Sequence, residues 1–263
     1  MTDATAPTTL LEVAKLRRVF GGIIAVNDID LHVATREIVA LIGPNGAGKT
    51  TLFKMITGFL KPSSGRVLLD GTDVTRLAPH RRAQLGVVCT FQRTAIFGGV
   101  SVLEAVRIGQ HRRGTSGVFD ALVRSRRHRG EERDTTERAM AILQLVGLES
   151  RAKSLAGALS YGQQRLVELA IALGAAPRLL LLDEPAAGLN PSESAELIEV
   201  LLKVREQGAA ILIVEHDMSV AMGTGDRVVV MASGAKIAEG LPEEIQRNET
   251  VIEAYLGVLD AAA

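Results

Sequence analysis

The sequence predicts an α/β fold with a parallel sheet at its centre. Short, continuous apolar runs at residues 38–42, 179–182 and 209–214 are separated by helix-length stretches, the pattern of strands covered on both faces by crossover helices. Each run ends in residues with chemistry to offer: Gly43 and Pro44, then Asp183 and Glu184, then Glu215, His216 and Asp217. Open parallel sheets gather their ligands at such strand ends. The first run empties directly into Gly43-Pro44-Asn45-Gly46-Ala47-Gly48-Lys49-Thr50, a Gly-x4-Gly-Lys-Thr pattern set where a buried strand hands over to a helix.

The remaining elements follow in order. Residues 1–9 are small, polar and Pro-containing and read as a flexible tail. Residues 10–41 alternate apolar and polar side chains around Gly21-Gly22, which suggests antiparallel strands. Residues 49–59 read as a helix behind the glycine loop, Pro62-Ser63-Ser64-Gly65 as a turn, and residues 66–70 as another strand. Residues 87–90 form a short apolar strand before Phe91-Gln92, and from Ser101 to about Gly157 the pattern is helical, with a stop near Gly147. Residues 161–174 and 192–207 read as helices, the second with Ser192 as N-cap and Gly208 as its stop. Residues 227–232 and 236–239 flank Ser233-Gly234 as a hairpin, and two short helices come last.

Composition narrows the function classes. The chain has 263 residues, 47% of them hydrophobic, but aromatics make up 3% and Trp is absent, so Leu, Val, Ile and Ala must build the core. Thirty basic residues balance thirty acidic ones, so the broad positive field expected of a nucleic-acid binder is missing. The one cysteine, Cys89, excludes an internal disulfide and fits a reducing compartment. Its neighbours Val87, Val88 and Phe91 point to a small buried residue. The N-terminus lacks a signal-peptide layout. The longest charge-free stretches, 38–48 and 154–164, run eleven residues, against about 20 for a membrane span. A soluble, cytoplasmic chain is expected. Residues 111–133 stand apart, with seven arginines against three acids. They read either as a basic surface for lipid headgroups or a partner, or as a solvated insertion.

The glycine loop specifies phosphate binding. Glycines let backbone N–H groups turn inward around phosphate oxygens, and the helix starting near Lys49 adds its unsatisfied N–H groups and positive dipole end. Lys49 should reach the β- and γ-phosphates and the Thr50 hydroxyl should ligate Mg²⁺. Downstream, Asp183 at a strand tip can hold the metal's hydration shell beside Thr50, and Glu184 can orient the attacking water. Ser160 and Gly162 open a helix and offer a second anion site. One nucleotide does not need two such sites in one chain, so this one suits ATP bound to another copy or partner. Gln92 can touch the metal or water, and His216 can hydrogen-bond the γ-phosphate.

With these residues in this order, the chain resembles the ATP-binding cassette (ABC) family. The motifs run through nearly the whole sequence: Walker A (43–50), the Q-loop Gln92, the signature (159–163), Walker B (179–183) with Glu184, the D-loop (187–190) and the switch His216. The resemblance implies a P-loop NTPase with a RecA-like parallel-sheet core, an antiparallel β subdomain and an inserted α-helical subdomain. Residues 10–92 and 159–257 would be the catalytic core and 93–158 the insertion. It implies ATP and Mg²⁺ as cofactors, with Glu184, His216 and Gln92 catalytic, and Thr50, Gln92 and Asp183 at the metal. ATP would be held by Phe20, which matches the family's adenine-stacking aromatic, and by Gly43, Pro44, Asn45, Gly46, Ala47, Gly48, Lys49, Thr50 and Thr51. Ser160, Tyr161, Gly162 and Gln163 would complete the site in trans. Tyr161 stands where the family usually has Gly, and Asn190 where Asp is common; both touch the coupling across the dimer.

Leu-Ser-Tyr-Gly-Gln-Gln-Arg (159–165), Val-Glu-His-Asp-Met (214–218) and the ending at 251–257 look like the ATPase subunits of branched-chain amino-acid importers. Such an importer implies a second ATPase subunit, either another copy or a paralogue, two transmembrane permease subunits, and a periplasmic or extracellular solute-binding protein. No nucleic-acid partner is implied, and the cytoplasmic face of the cell membrane is the expected location. Related cassettes move urea, short amides or lipopolysaccharide, so the solute stays open at this level. A cassette acting on DNA or ribosomes would show long heptads or tandem cassettes. A GTPase would show Asn-Lys-x-Asp. None of these is present in the sequence.

Overall fold

The computed structural model describes residues 8–90, 98–110 and 126–260, with only the backbone described for 126–131 and 256–260. Gln92 and most of the basic segment 111–133 lie outside the described residues.

In chain order, β1 (Thr9–Phe20) and β2 (Ile23–Ala34) form a hairpin, and β3 (Ile38–Ile42) leads into α1 (Lys49–Thr57). Next come β4 (Ser64–Leu69), β5 (Thr72–Asp73), α2 (Pro79–Gln84) and β6 (Val87–Cys89). Helices α3 (Val102–Gly109), α4 (Arg126–Leu145) and α5 (Tyr161–Gly174) follow. Then β7 (Leu179–Asp183), α6 (Pro191–Glu206), β8 (Ala210–Val214), α7 (Met218–Thr224), β9 (Arg227–Ala232) and β10 (Ala235–Gly240) precede α8 (Pro242–Gln246) and α9 (Glu249–Asp260).

The chain forms two compact units, Met1–Phe91 with Arg178–Ala263, and Gln92–Pro177. The first unit holds two sheets. One is antiparallel, in the order β2-β1-β4-β5. The other runs β10-β9-β3-β8-β7-β6 and is parallel except for the β9–β10 hairpin. Strands β3, β7 and β8 are buried at all five positions, which is why their sequences read as unbroken apolar runs rather than alternating ones.

Helix α1 is anchored at its far end by a buried cation. Arg82, from α2, donates to the carbonyls of Met55 and Ile56 in the last turn of α1 and to those of Thr75 and Leu77. The last carbonyls of a helix have no partner inside it and carry its negative dipole end. Arg82 answers both needs, although burial pulls its guanidinium down to about 10. The helix stops at Thr57 because Gly58 turns left-handed, φ 86°, two residues short of the expected end at 59.

Two further differences have simple causes. The N-cap of α6 is Asn190, not Ser192: its side chain accepts from Glu193 N, the Glu193 carboxylate accepts from Asn190 N, and Pro191 takes the first helical position. A reciprocal capping box with Pro at N1 outcompetes a lone serine two residues on. Helix α5, placed with the core by the sequence reading, groups with the second unit. It packs on α3 so closely that a Cβ on Gly109 would sit 2.2 Å from the carbonyl oxygen of Ile171. Cys89 is half-buried, and burial, then the Asp183 charge, pushes its thiol up to about 11.

Candidate functional site

Register decides what meets at the head of the parallel sheet. Leu41 of β3 pairs with Val214 of β8, and Val214 pairs with Asp183 of β7. The three strands therefore finish side by side. Their next residues, from Gly43 onward, Glu184, and Glu215 with His216, share one rim.

The glycine loop is pressed tightly against its neighbours. Gly43 has φ 149°, and a Cβ there would lie 2.0 Å from the carbonyl oxygen of Met231; one on Gly48, φ 97°, would lie 2.3 Å from that of Ala25. Only glycine fits at either position. Gly234, in the β9–β10 turn, donates its N–H to Ala47 O at 3.1 Å and braces the loop from outside. The loop ends at Gly48, the N-cap of α1, so the free N–H groups of the first turn, which carries Lys49, Thr50 and Thr51, open onto it. Lys49 is 6% exposed, and its ammonium donates to the carbonyls of Gly43 at 2.5 Å and Pro44 at 3.2 Å. Desolvation pulls its pKa down, against the opposing pull of Glu184, Asp183 and Glu215.

Two carboxylates stand at the tip of β7. Asp183 is buried, and its Oδ1 has no hydrogen-bond partner. Burial and the neighbouring Glu184 charge raise its pKa. Helix α1, which carries Thr50, packs against β7, and the charges of Lys54 and Lys49 on that helix act on the Asp183 carboxylate. A hydroxyl, a carboxylate and phosphate oxygens are hard oxygen donors of the kind Mg²⁺ takes. Glu184 adopts a left-handed backbone, φ 49°, uncommon for a residue with a side chain. Its N–H donates to Val214 O at 2.8 Å. The Nδ1 of His216 lies 3.9 Å from Glu184 Oε2 and 3.9 Å from Glu215 Oε2.

Sequence reasoning gave Glu215 no role. It is 0% exposed; Oε1 accepts from Ala186 N at 2.9 Å and Oε2 from His216 N at 3.2 Å. Burial raises its pKa while these backbone donors, with that of Asp217, oppose the shift. The available signal was a charge following directly on a wholly apolar strand. Arg18 was missed too: its guanidinium lies 4.5 Å from the centroid of the Phe20 ring. Phe20, at the end of β1, is 42% exposed.

The second unit holds the signature residues. Ser160 caps α5, its hydroxyl oxygen accepting from Gln163 N and the Gln163 side chain accepting from Ser160 N, both at 3.3 Å. The serine hydroxyl keeps its own proton to donate. Gly162 is buried in the first turn. The Tyr161 hydroxyl accepts from Arg165 Nε at 3.1 Å and Nη2 at 2.7 Å, and Arg165 pairs with Glu168 at 3.0 Å. The two departures thus have local tasks, Tyr161 with Arg165 and Asn190 as a cap. Gln92 lies outside the described residues.

Residues 26–187 match the family model for ABC transporters. The chain belongs to the ABC transporter family. Residues 235–261 of the cassette match a second model, for branched-chain amino acid ATP-binding cassette transporters. The cassette is 43% identical over 249 residues to the high-affinity branched-chain amino acid transport ATP-binding protein BraF of Pseudomonas aeruginosa, covering 94% of this chain and 98% of that one. LivG of Escherichia coli gives the same figures. A probable LivG of Archaeoglobus fulgidus is 36% identical over 252 residues, 96% and 97% of the two chains. Among solved structures, a nucleotide-free cassette of an ABC transporter superposes with TM-score 0.81 at 31% identity, over 94% of this chain and 99% of the other. The ADP conformation of such a cassette gives 0.82 at 30%, over 95% and 99%. The cassette is a nucleotide-binding, ATP-hydrolysing transport ATPase with the α/β fold expected of it. No described helix is long and apolar enough to cross a membrane.

Proposed function

We propose that the cassette energises an importer of branched-chain amino acids by hydrolysing ATP at the rim formed by β3, β7 and β8. The observation that carries the reading is the shared strand ending, which gathers Lys49, Asp183, Glu184 and His216 at one place. The solute follows from the full-length similarity to BraF and LivG and from the match at 235–261.

In this reading the glycine loop and the first turn of α1 wrap the phosphates, and the Lys49 ammonium exchanges its two carbonyl partners for phosphate oxygens. Thr50 and Asp183, with Gln92, would hold Mg²⁺, which would supply charge neutralisation at the phosphate oxygens. Glu184 orients a water for in-line attack and takes its proton. His216 donates to the γ-phosphate. Phe20 stacks on adenine. Ser160, Tyr161, Gly162 and Gln163 of a second ATPase subunit close over the nucleotide, with the Ser160 O–H donating to phosphate. The pair serves two permease subunits at the cytoplasmic face of the membrane, which receive solute from an external binding protein.

Uptake of labelled leucine in a strain lacking the gene tests the whole reading. The parent gene should restore uptake and Glu184→Gln should not. Restored growth on another solute, with leucine uptake unaffected by the deletion, overturns the assignment of substrate but leaves the ATPase standing.

A further inference from the structure

Glu184 and His216 follow different strands, β7 and β8, and His216 Nδ1 lies 3.9 Å from Glu184 Oε2. The Glu215 carboxylate, 0% exposed, accepts from the backbone N–H of Ala186 at 2.9 Å on one oxygen and from that of His216 at 3.2 Å on the other. Its own N–H donates to Leu41 O at 3.1 Å, which ties it also to the strand that feeds the glycine loop.

The left-handed backbone at Glu184 is the second observation. Such a conformation persists when its surroundings hold it on both sides. On one side Glu184 N donates to Val214 O. On the other, Ala186 N is held by Glu215, the residue after Val214. The end of β8 therefore brackets the strained residue. Burying a carboxylate is costly, and here it accepts from the backbone N–H groups of Ala186, His216 and Asp217, of which that of Ala186 is buried and would otherwise lack an acceptor.

We infer that Glu215 is a positioning residue for hydrolysis: one buried carboxylate that sets the turn carrying Glu184 against the turn carrying His216. The inference rests on the reading of Glu184 as the group that orients water. A glutamine at 215 fills the same volume but has one acceptor oxygen, so it can serve Ala186 N or His216 N and not both, and its NH₂ faces a donor. Leucine serves neither.

The test is steady-state ATPase kinetics with ATP affinity measured separately by calorimetry. Glu215→Gln should lower kcat roughly 10- to 100-fold, the range for losing a group that orients a reacting one, with ATP affinity within about twofold because Lys49 and the loop are untouched. Glu215→Leu should be slower still. A thermal melt checks folding, and the isosteric Gln variant carries the test if the Leu variant does not fold. In the double variant Glu184→Gln/Glu215→Gln, the second change should cost little further rate, since its effect is exerted through Glu184. Full turnover in folded Glu215→Gln, or a double variant whose losses multiply, overturns the positioning role. Normal turnover in Glu184→Gln alone overturns the catalytic reading instead, so the two failures are told apart.

Discussion

The Arg18 guanidinium covers one face of the Phe20 ring, 4.5 Å from its centroid, while Arg18 Nη1 is anchored to the carbonyl of Lys61 at 2.8 Å. A phenyl ring has two faces, and Phe20 is 42% exposed, as the adenine platform of the proposed reading requires. Phe20→Ala should weaken ATP binding by a base–aromatic stack, roughly 1–3 kcal/mol, with kcat little changed. Arg18→Ala should cost less, about 0.5–1 kcal/mol, through the lost cation–π contact and a looser ring. Calorimetry on both variants checks this; unchanged affinity in each returns Phe20 to an ordinary exposed aromatic.

Glu184 sits at the rim beside His216 and is the candidate to orient and deprotonate water. Glu184→Gln should keep ATP affinity and slow hydrolysis by at least ~100-fold, leaving an ATP-loaded dimer visible by gel filtration. Near-normal turnover would remove Glu184 from that role.

Much of this site was legible because its strands are buried on both faces. Residues 38–42, 179–182 and 209–214 could only be apolar runs, and the residues just beyond them could only be strand tips. What stayed hidden was backbone chemistry. Glu215 works on the N–H groups of Ala186 and His216, and a sequence carries no mark of which N–H lacks a partner. The sequence reading assigns nothing to the stretch around Arg82; its burial depends on where α1 happens to end. Asn190 was legible as a cap in principle, but an apolar-periodicity reading started the helix at Ser192 and passed over Pro191.

Cys89 gives a test by pH. Its thiol is pushed up to about 11, by burial first and the Asp183 charge second, and the thiolate is the reactive form. Below that value the thiol stays protonated, so iodoacetamide at pH 8 should label the native cassette far more slowly than the urea-unfolded chain. Because the folded pKa lies above the ordinary thiol value of 9.0, this group's contribution to stability is intact below about 9 and is lost as pH rises toward 11. Equal labelling rates of native and unfolded protein at pH 8 would contradict the burial argument.

Arg82 predicts a stability effect far from the chemistry. Arg82→Met keeps much of the stem's packing but abandons the carbonyls of Met55, Ile56, Thr75 and Leu77. Each buried acceptor left unmade costs about 1–3 kcal/mol, offset in part by relief of a buried charge. A net loss of roughly 3 kcal/mol is expected from urea midpoints. A variant as stable as the parent would show that water or neighbouring donors replace the guanidinium at the end of α1.

The last prediction concerns completion of the site by a second chain. Ser160 caps α5 with its oxygen and retains its own proton, and in the proposed reading this turn is a second anion site, one that the chain's own glycine loop does not require. Hydrolysis should therefore depend on two chains, with Ser160, Gly162 and Gln163 of one closing over ATP on the other. Lys49→Ala damages the loop half of a composite site and Ser160→Arg the signature half. Mixed dimers then hold one intact site and one that carries both lesions, and activity above either variant alone is expected. Concentration decides the matter: specific activity should fall on dilution as dimers part. Activity that stays flat where light scattering shows only monomer would mean each chain completes its own site.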